Sequence, residues 1–190
     1  MGAYLLYSVF LTAFVYPITA HAFWSENGFL SPFTKEPLGG IGTVDFAGAG
    51  VVHMTGGLTA LVSAWILGPR AGRFHDVKTG ELLNEPKTMP GHSIAHQLLG
   101  SMILWFGWYG FNTGSALLLT DNTVSTGEIA GHVTIVASLC GASGCDGALV
   151  INMILKYRVT QEFNFDLLPA MNGALSGLVA SAGCAGLIQE

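Results

Sequence analysis

The chain has 190 residues, is 51% hydrophobic and only 10% charged, and carries a formal net charge of −5 at pH 7 with a mean hydropathy of +0.53. A water-soluble domain carries about a quarter charged residues, so much of this surface faces something other than water. Nothing in the charge suggests nucleic acid, and three cysteines give no disulfide framework.

A hydrocarbon core ~30 Å thick takes roughly 20 apolar residues of helix. Runs 1–25, 46–69, 88–120 and 167–189 reach that length without one Asp, Glu, Lys or Arg, and 127–155 is broken only by Glu128 and Asp146. Alternating strands of a membrane barrel are absent. The expected fold is therefore all-α, a polytopic membrane helix bundle with helices over about 3–24, 46–67, 94–118, 129–154 and 168–188.

The first run lacks a basic leader and a small-residue cleavage site, so it reads as a span rather than a signal peptide. Phe23 and Trp24 stand at its end, where an interfacial aromatic belt is expected. Gly/Pro-rich turns follow.

The second run begins directly after Asp45. That carboxylate is placed to accept from the first free N–H groups of a helix and to complement its dipole. A cap and a cation-attracting anion are compatible roles. His53 lies eight residues further on, about 12 Å deeper at 1.5 Å per residue. A lone histidine there is either a satisfied core group or a group lining a lumen. The neighbouring Gly48, Gly50, Gly56 and Gly57 leave room for the lumen.

The loop 68–91 carries Arg70, Arg73, Lys78 and Lys87. His92 and His96 follow at i, i+4, a metal-compatible spacing with no third ligand apparent. The third helix contains "WFGWYGFNTGS", in which Trp108, Phe111 and Ser115 share one face at i, i+3, i+7. An aromatic stripe is ordinarily core or lipid contact. Aromatic faces with a hydroxyl can also hold a small cation.

The fourth helix holds His132, Cys140, Cys145 and Asp146, and the fifth holds Cys184. No Cys-x-x-Cys pair or metal cluster appears, so no cofactor is expected and the cysteines read as small packing residues. Asp146 is left without a role. Gly56-x-x-x-Ala60, Gly110-x-x-x-Gly114 and Gly173-x-x-x-Gly177 each ask for a close helical neighbour. Six of the seven basic residues lie in loops 68–91 and 156–166, which places those loops on the cytoplasmic side. Five helices would leave packing faces uncovered, and the chain reads as part of a longer one.

Three blocks together carry a resemblance: "DFAGAGVVHMTGGLTALVSAWILGPR", "FGWYGFNTGS" and "GAYLLYSVFLTAFVYPITAHAFWS". In their order along the chain they resemble the ammonium transporter family, which also contains the Rhesus glycoproteins. "GPRAGRF" and "WFGWYGFN" look most like eukaryotic plant and algal members. The resemblance covers essentially the whole chain and implies one partial ammonium transporter domain over 1–190. Family members have about eleven helices in an inverted repeat and form trimers with a pore through each subunit; the present helices would be the fourth to the eighth.

Carried over by position, Trp24, Phe111 and Ser115 match the outer ammonium-recruitment site and gate. His53 matches the first of two pore histidines, and Trp108 an aromatic lining the pore. Asp45 matches an acid that stabilises the recruitment site. The second pore histidine belongs to a helix outside this chain. The implied function is ammonium or ammonia transport, not catalysis, by a homotrimer in a lipid bilayer, the plasma membrane by expectation. Rival readings are an ammonium sensor on the same fold and a piece inactive by itself.

Overall fold

The computed structural model describes residues 2–116 and 126–188. Five long helices make up the described chain: α1 (Gly2–Trp24), α2 (Ala49–Leu67), α3 (Ile94–Ser115), α4 (Thr126–Thr160) and α5 (Leu167–Cys184). Among the described residues there is no β-strand, only an isolated bridge between His75 and Leu82. Helices α1, α2, α4 and α5 are long and apolar enough to cross a membrane. Helix α3 has the length but is not among them, because Gln97, Asn112 and the polar-tipped Trp105, Trp108 and Tyr109 dilute its apolarity.

Each helix has a local cause. In α1, Pro17 cannot donate to the carbonyl four residues back. The preceding turn widens into a π segment over Leu11–Val15, with Tyr16 N–H bonding Leu11 O. Ser93 caps α3 by accepting from His96 N–H, and Asp166 caps α5 by accepting from Leu168 N–H at 3.1 Å. Pro169 sits in the first turn of α5, where no donor is needed.

The boundaries differ from the sequence expectation in several places. Helix α2 starts at Ala49 rather than near 46, because Gly48 turns the chain at φ 96°. Helix α4 continues to Thr160, six residues past 154, and so absorbs Lys156 and Arg158. It ends where Gln161 adopts φ 60° and its N–H bonds Tyr157 O, a left-handed cap. Helix α5 stops at Cys184 rather than 188. The expected end of α3 at Leu117 and Leu118 lies outside the described residues.

Packing is tightest between α4 and α5, where small residues let the backbones touch. A Cβ on Gly177 would lie 2.0 Å from Cys140 O, and one on Gly173 would lie 2.3 Å from Gly144 O. A Cβ on Gly141 would meet the Trp105 ring of α3 at 2.8 Å. By contrast, Gly56, Gly110 and Gly114 have nothing within 4 Å of such a carbon among the described residues. The small core of Phe46, Ala47, Ala116, Val133, Val136, Ala182 and Ala185 joins the start of α2 to α3, α4 and the end of α5. Large apolar side chains elsewhere are bare, Trp65 at 83% and Phe106 at 78% exposure.

Candidate functional site

The site is built outward from Asp45. Just before α2, Phe46 N–H and Ala47 N–H donate to Gly183 O and Ala182 O at 3.1 and 2.6 Å. Those carbonyls belong to the last turn of α5, where the helix itself provides no donor. The Asp45 carboxylate then faces the start of α2. Its Oδ1 accepts from Gly48 and Ala49 N–H at 3.0 and 2.8 Å, and its Oδ2 accepts from Gly50 and Val51 N–H at 3.0 and 2.9 Å. At 8% exposure, the carboxylate spends both oxygens on the helix N-terminus. Trp24 Nε1 donates to Asp45 O at 2.7 Å, which fixes the end of α1 beside this cap.

The first turn and a half of α2 is a π segment, Ala49–Met54. His53 N–H reaches Gly48 O, five residues back, at 3.0 Å, and Thr55 Oγ1 donates to Gly50 O at 3.3 Å. Such wide turns are rare and occur frequently at functional sites. This one carries His53 against α3. The imidazole stacks on Trp108, with centroids 4.9 Å apart and planes 18° apart, and meets Phe111 at 5.6 Å. Trp108 and Phe111 are themselves 5.5 Å apart. His53 Nε2 and Trp108 Nε1 are buried and have no hydrogen-bond partner among the described residues. In this aromatic cluster the two unsatisfied ring nitrogens leave an imidazole position and an indole donor for a further polar partner.

The sequence-predicted residues therefore fall into two groups. Trp24 and Asp45 are joined through the helix cap, and both line a cleft of about 670 Å³ with Phe23, Glu26, Lys35 and Phe46. His53, Trp108 and Phe111 form the ring cluster. Ser115 lies one turn beyond Phe111 and donates to Phe111 O at 3.2 Å, within its own helix. Asp146 is exposed on α4. Among the described residues no three His, Cys, Asp or Glu side chains could share a metal, and His96 Nδ1 pairs with Ser93 Oγ at 2.9 Å.

Three residues escaped the sequence reading. Asn112 and Ser181 are both completely buried, and Asn112 Nδ2 donates to Ser181 Oγ at 3.0 Å. The signal was present: an amide inside an apolar membrane helix needs a partner. Tyr109 was also missed; its hydroxyl accepts from Trp105 Nε1 and pairs with Ser138 Oγ of α4, both at 2.9 Å.

Comparison with known proteins gives one consistent result. The family model described as Ammonium Transporter Family matches residues 1–190. The chain is 40% identical over 189 residues to ammonium transporter 1 member 2 of Arabidopsis thaliana, covering 96% of this chain and 35% of that protein. It is 36% identical over 189 residues to ammonium transporter 3 of Dictyostelium discoideum, covering 100% of this chain and 39% of that protein. Among solved structures, one titled "Sensor Amt Protein" superposes with a TM-score of 0.67 at 31% identity, covering 95% of this chain and 39% of that one. The chain thus spans little more than a third of the length of these relatives.

Proposed function

The chain belongs to the ammonium transporter family, and we propose that it supplies one half of the conducting path by which ammonium or ammonia crosses a membrane. The observation that carries this reading is the pair of unpartnered nitrogens, His53 Nε2 and Trp108 Nε1, inside the aromatic cluster of α2 and α3. A unit charge at mid-membrane costs at least ~2.5–3.5 kcal/mol. A neutral imidazole relieves that cost by hydrogen-bonding ammonia or relaying its proton. Trp24 offers a ring face at the outer cleft, Phe111 closes the way inward, and Ser115 adds a hydroxyl one turn above it. Asp45 stabilises this mouth by holding the start of α2 and, through its carbonyl, Trp24.

The longer protein would work as a homotrimer in the plasma membrane, taking up nitrogen, with loop 68–91 in the cytoplasm. The likeness to a structure titled as a sensor favours a second reading, an ammonium-binding receptor on the same scaffold. Flux separates the two.

In the full-length protein, His53→Leu leaves expression intact and lowers ammonium uptake by about tenfold, the equivalent of ~1.4 kcal/mol of lost stabilisation. Uptake and current measured on the same membranes, normalised to folded protein, decide it. Wild-type rate, selectivity and charge per ammonia in His53→Leu would return His53 to a packing role. No flux in the unmutated protein, with ammonium binding retained, would favour the sensor.

A further inference from the structure

One turn of α5 bonds both segments that carry the ring cluster, at Asn112 of α3 and at Phe46 and Ala47 before α2. Ser181 Oγ accepts from Asn112 Nδ2 at 3.0 Å and donates to Leu178 O at 2.7 Å. Asn112 directly follows Phe111 and lies four residues after Trp108, so this bond ties α3 to α5 beside both rings, while Tyr109–Ser138 and Trp105 tie it to α4. The next two residues of α5 hold the other segment. Ala182 O and Gly183 O accept from Ala47 and Phe46, and Asp45 then caps the π turn that carries His53. Helix α5 is in turn seated against α4 through the backbone contacts of Gly173 and Gly177.

We propose that Asn112 and Ser181 are positioning residues for conduction: their hydrogen bond pins α3 to the same turn of α5 that anchors the start of α2, and so sets the spacing between His53 and the Trp108–Phe111 pair. The proposal rests on the conduction reading for its effect on transport, but its geometric content stands apart from it. Burial makes the clamp consequential. Both side chains are fully buried, and Asn112 Oδ1 has no partner among the described residues, so the bond to Ser181 is the amide's anchor. A buried amide that loses its partner has no water to replace it. Whichever partner is removed, the link that holds this stretch of α3 to that turn of α5 is gone, and α3 shifts with its rings.

The test uses the full-length protein labelled with fluorotryptophan, with the Trp108 fluorine resonance assigned by its loss in Trp108→Phe. Ser181→Ala should shift that resonance, lower maximal ammonium uptake by about tenfold, and change the ratio of ammonium to methylammonium uptake. Asn112→Leu should do the same. The double variant Asn112→Leu/Ser181→Ala should be no worse than Asn112→Leu alone, because residues in one contact are not additive. It also leaves neither partner unpaired, so it carries the same expectation if a single variant does not reach the membrane. A thermal destabilisation with unchanged fluorine resonance and unchanged uptake ratio would overturn the proposal, leaving the pair as ordinary packing. If the unmutated protein moves no ammonium, the conduction reading falls, and the fluorine resonance alone still decides whether the clamp sets the Trp108 position.

Discussion

Asp45 is the residue on which the most local structure depends. Its two carboxylate oxygens accept from four successive N–H groups, Gly48 to Val51, that no helical carbonyl could reach. A neutral amide has one acceptor oxygen, so Asp45→Asn would aim an NH₂ group at two of those donors. The expected loss is about 2–4 kcal/mol, read as a lower thermal transition of the full-length protein in detergent. Asp45→Glu keeps the charge but moves it one carbon, and it should recover only part of that loss. An unchanged transition in Asp45→Asn would mean that water, not this cap, satisfies the start of α2. The acid was legible in the sequence as a cap because it precedes an apolar run. That both oxygens are consumed by the helix emerged only from the fold.

Helix by helix, small residues decide what meets what. Three glycine-type motifs looked equivalent in the sequence, yet only Gly173-x-x-x-Gly177 meets a backbone among the described residues. Gly177→Ala would place a methyl 2.0 Å from Cys140 O, a backbone atom that cannot swing away. Helix α5 would have to separate from α4, at about 1–3 kcal/mol by the usual cost of overpacking. Thermal unfolding of Gly177→Ala beside Ser176→Ala, an exposed neighbour, provides the comparison; equal transitions would remove the close crossing from the account.

The first turn of α5 has its own pH dependence. Lys156 Nζ lies 2.9 Å from Asp166 Oδ2. This hydrogen bond, then that from Leu168 N–H, holds the Asp166 carboxyl below its ordinary range. A lowered folded-state pKa means stability present above the ordinary carboxylate value and lost as pH falls through the lower one. Protection of the Leu168 amide, its exchange rate set against the intrinsic rate at each pH, should therefore fall on acidification below the ordinary carboxylate range. In Lys156→Met that fall should begin at higher pH, and a coincident profile would show that Lys156 does not set it.

Across the whole molecule, the exposed apolar faces of α1, α2 and α3 and the concentration of basic residues in two segments describe a chain embedded in a membrane with one side defined by charge. Loop 68–91 is a good place to read that side, because it is folded. Asp76 gathers Lys78 and Thr79 N–H at 2.8 and 2.9 Å, and Lys87 N–H closes on Arg73 O at 2.8 Å. Gly80 sits at φ 74° and would be strained by any side chain, so Thr79→Cys in an otherwise cysteine-free full-length protein is the better probe. It should react with an impermeant thiol reagent only in inverted membranes or opened cells. Labelling in intact cells would reverse the orientation.

By itself the sequence determined the features that depend on neighbours within a turn or two. Apolar run length determined the helices, Asp45 before an apolar run determined a cap, and Trp108, Phe111 and Ser115 at helical spacing determined a shared face. Each is set by a periodicity of 3.6 or by the free N–H groups of a helix start, which a short window contains. The tertiary structure alone decided that His53 stacks on Trp108, 55 residues away in number, and that Asn112 bonds Ser181, 69 residues away. It also decided that α5, through Ala182 and Gly183, holds the start of α2. The reason is physical. A regular helix predicts which residues share a face, but the π turn over Ala49–Met54 rotates His53 off that regular face. Which faces then meet depends on where two backbones can approach without a Cβ between them, and on which distant polar group can satisfy a buried amide.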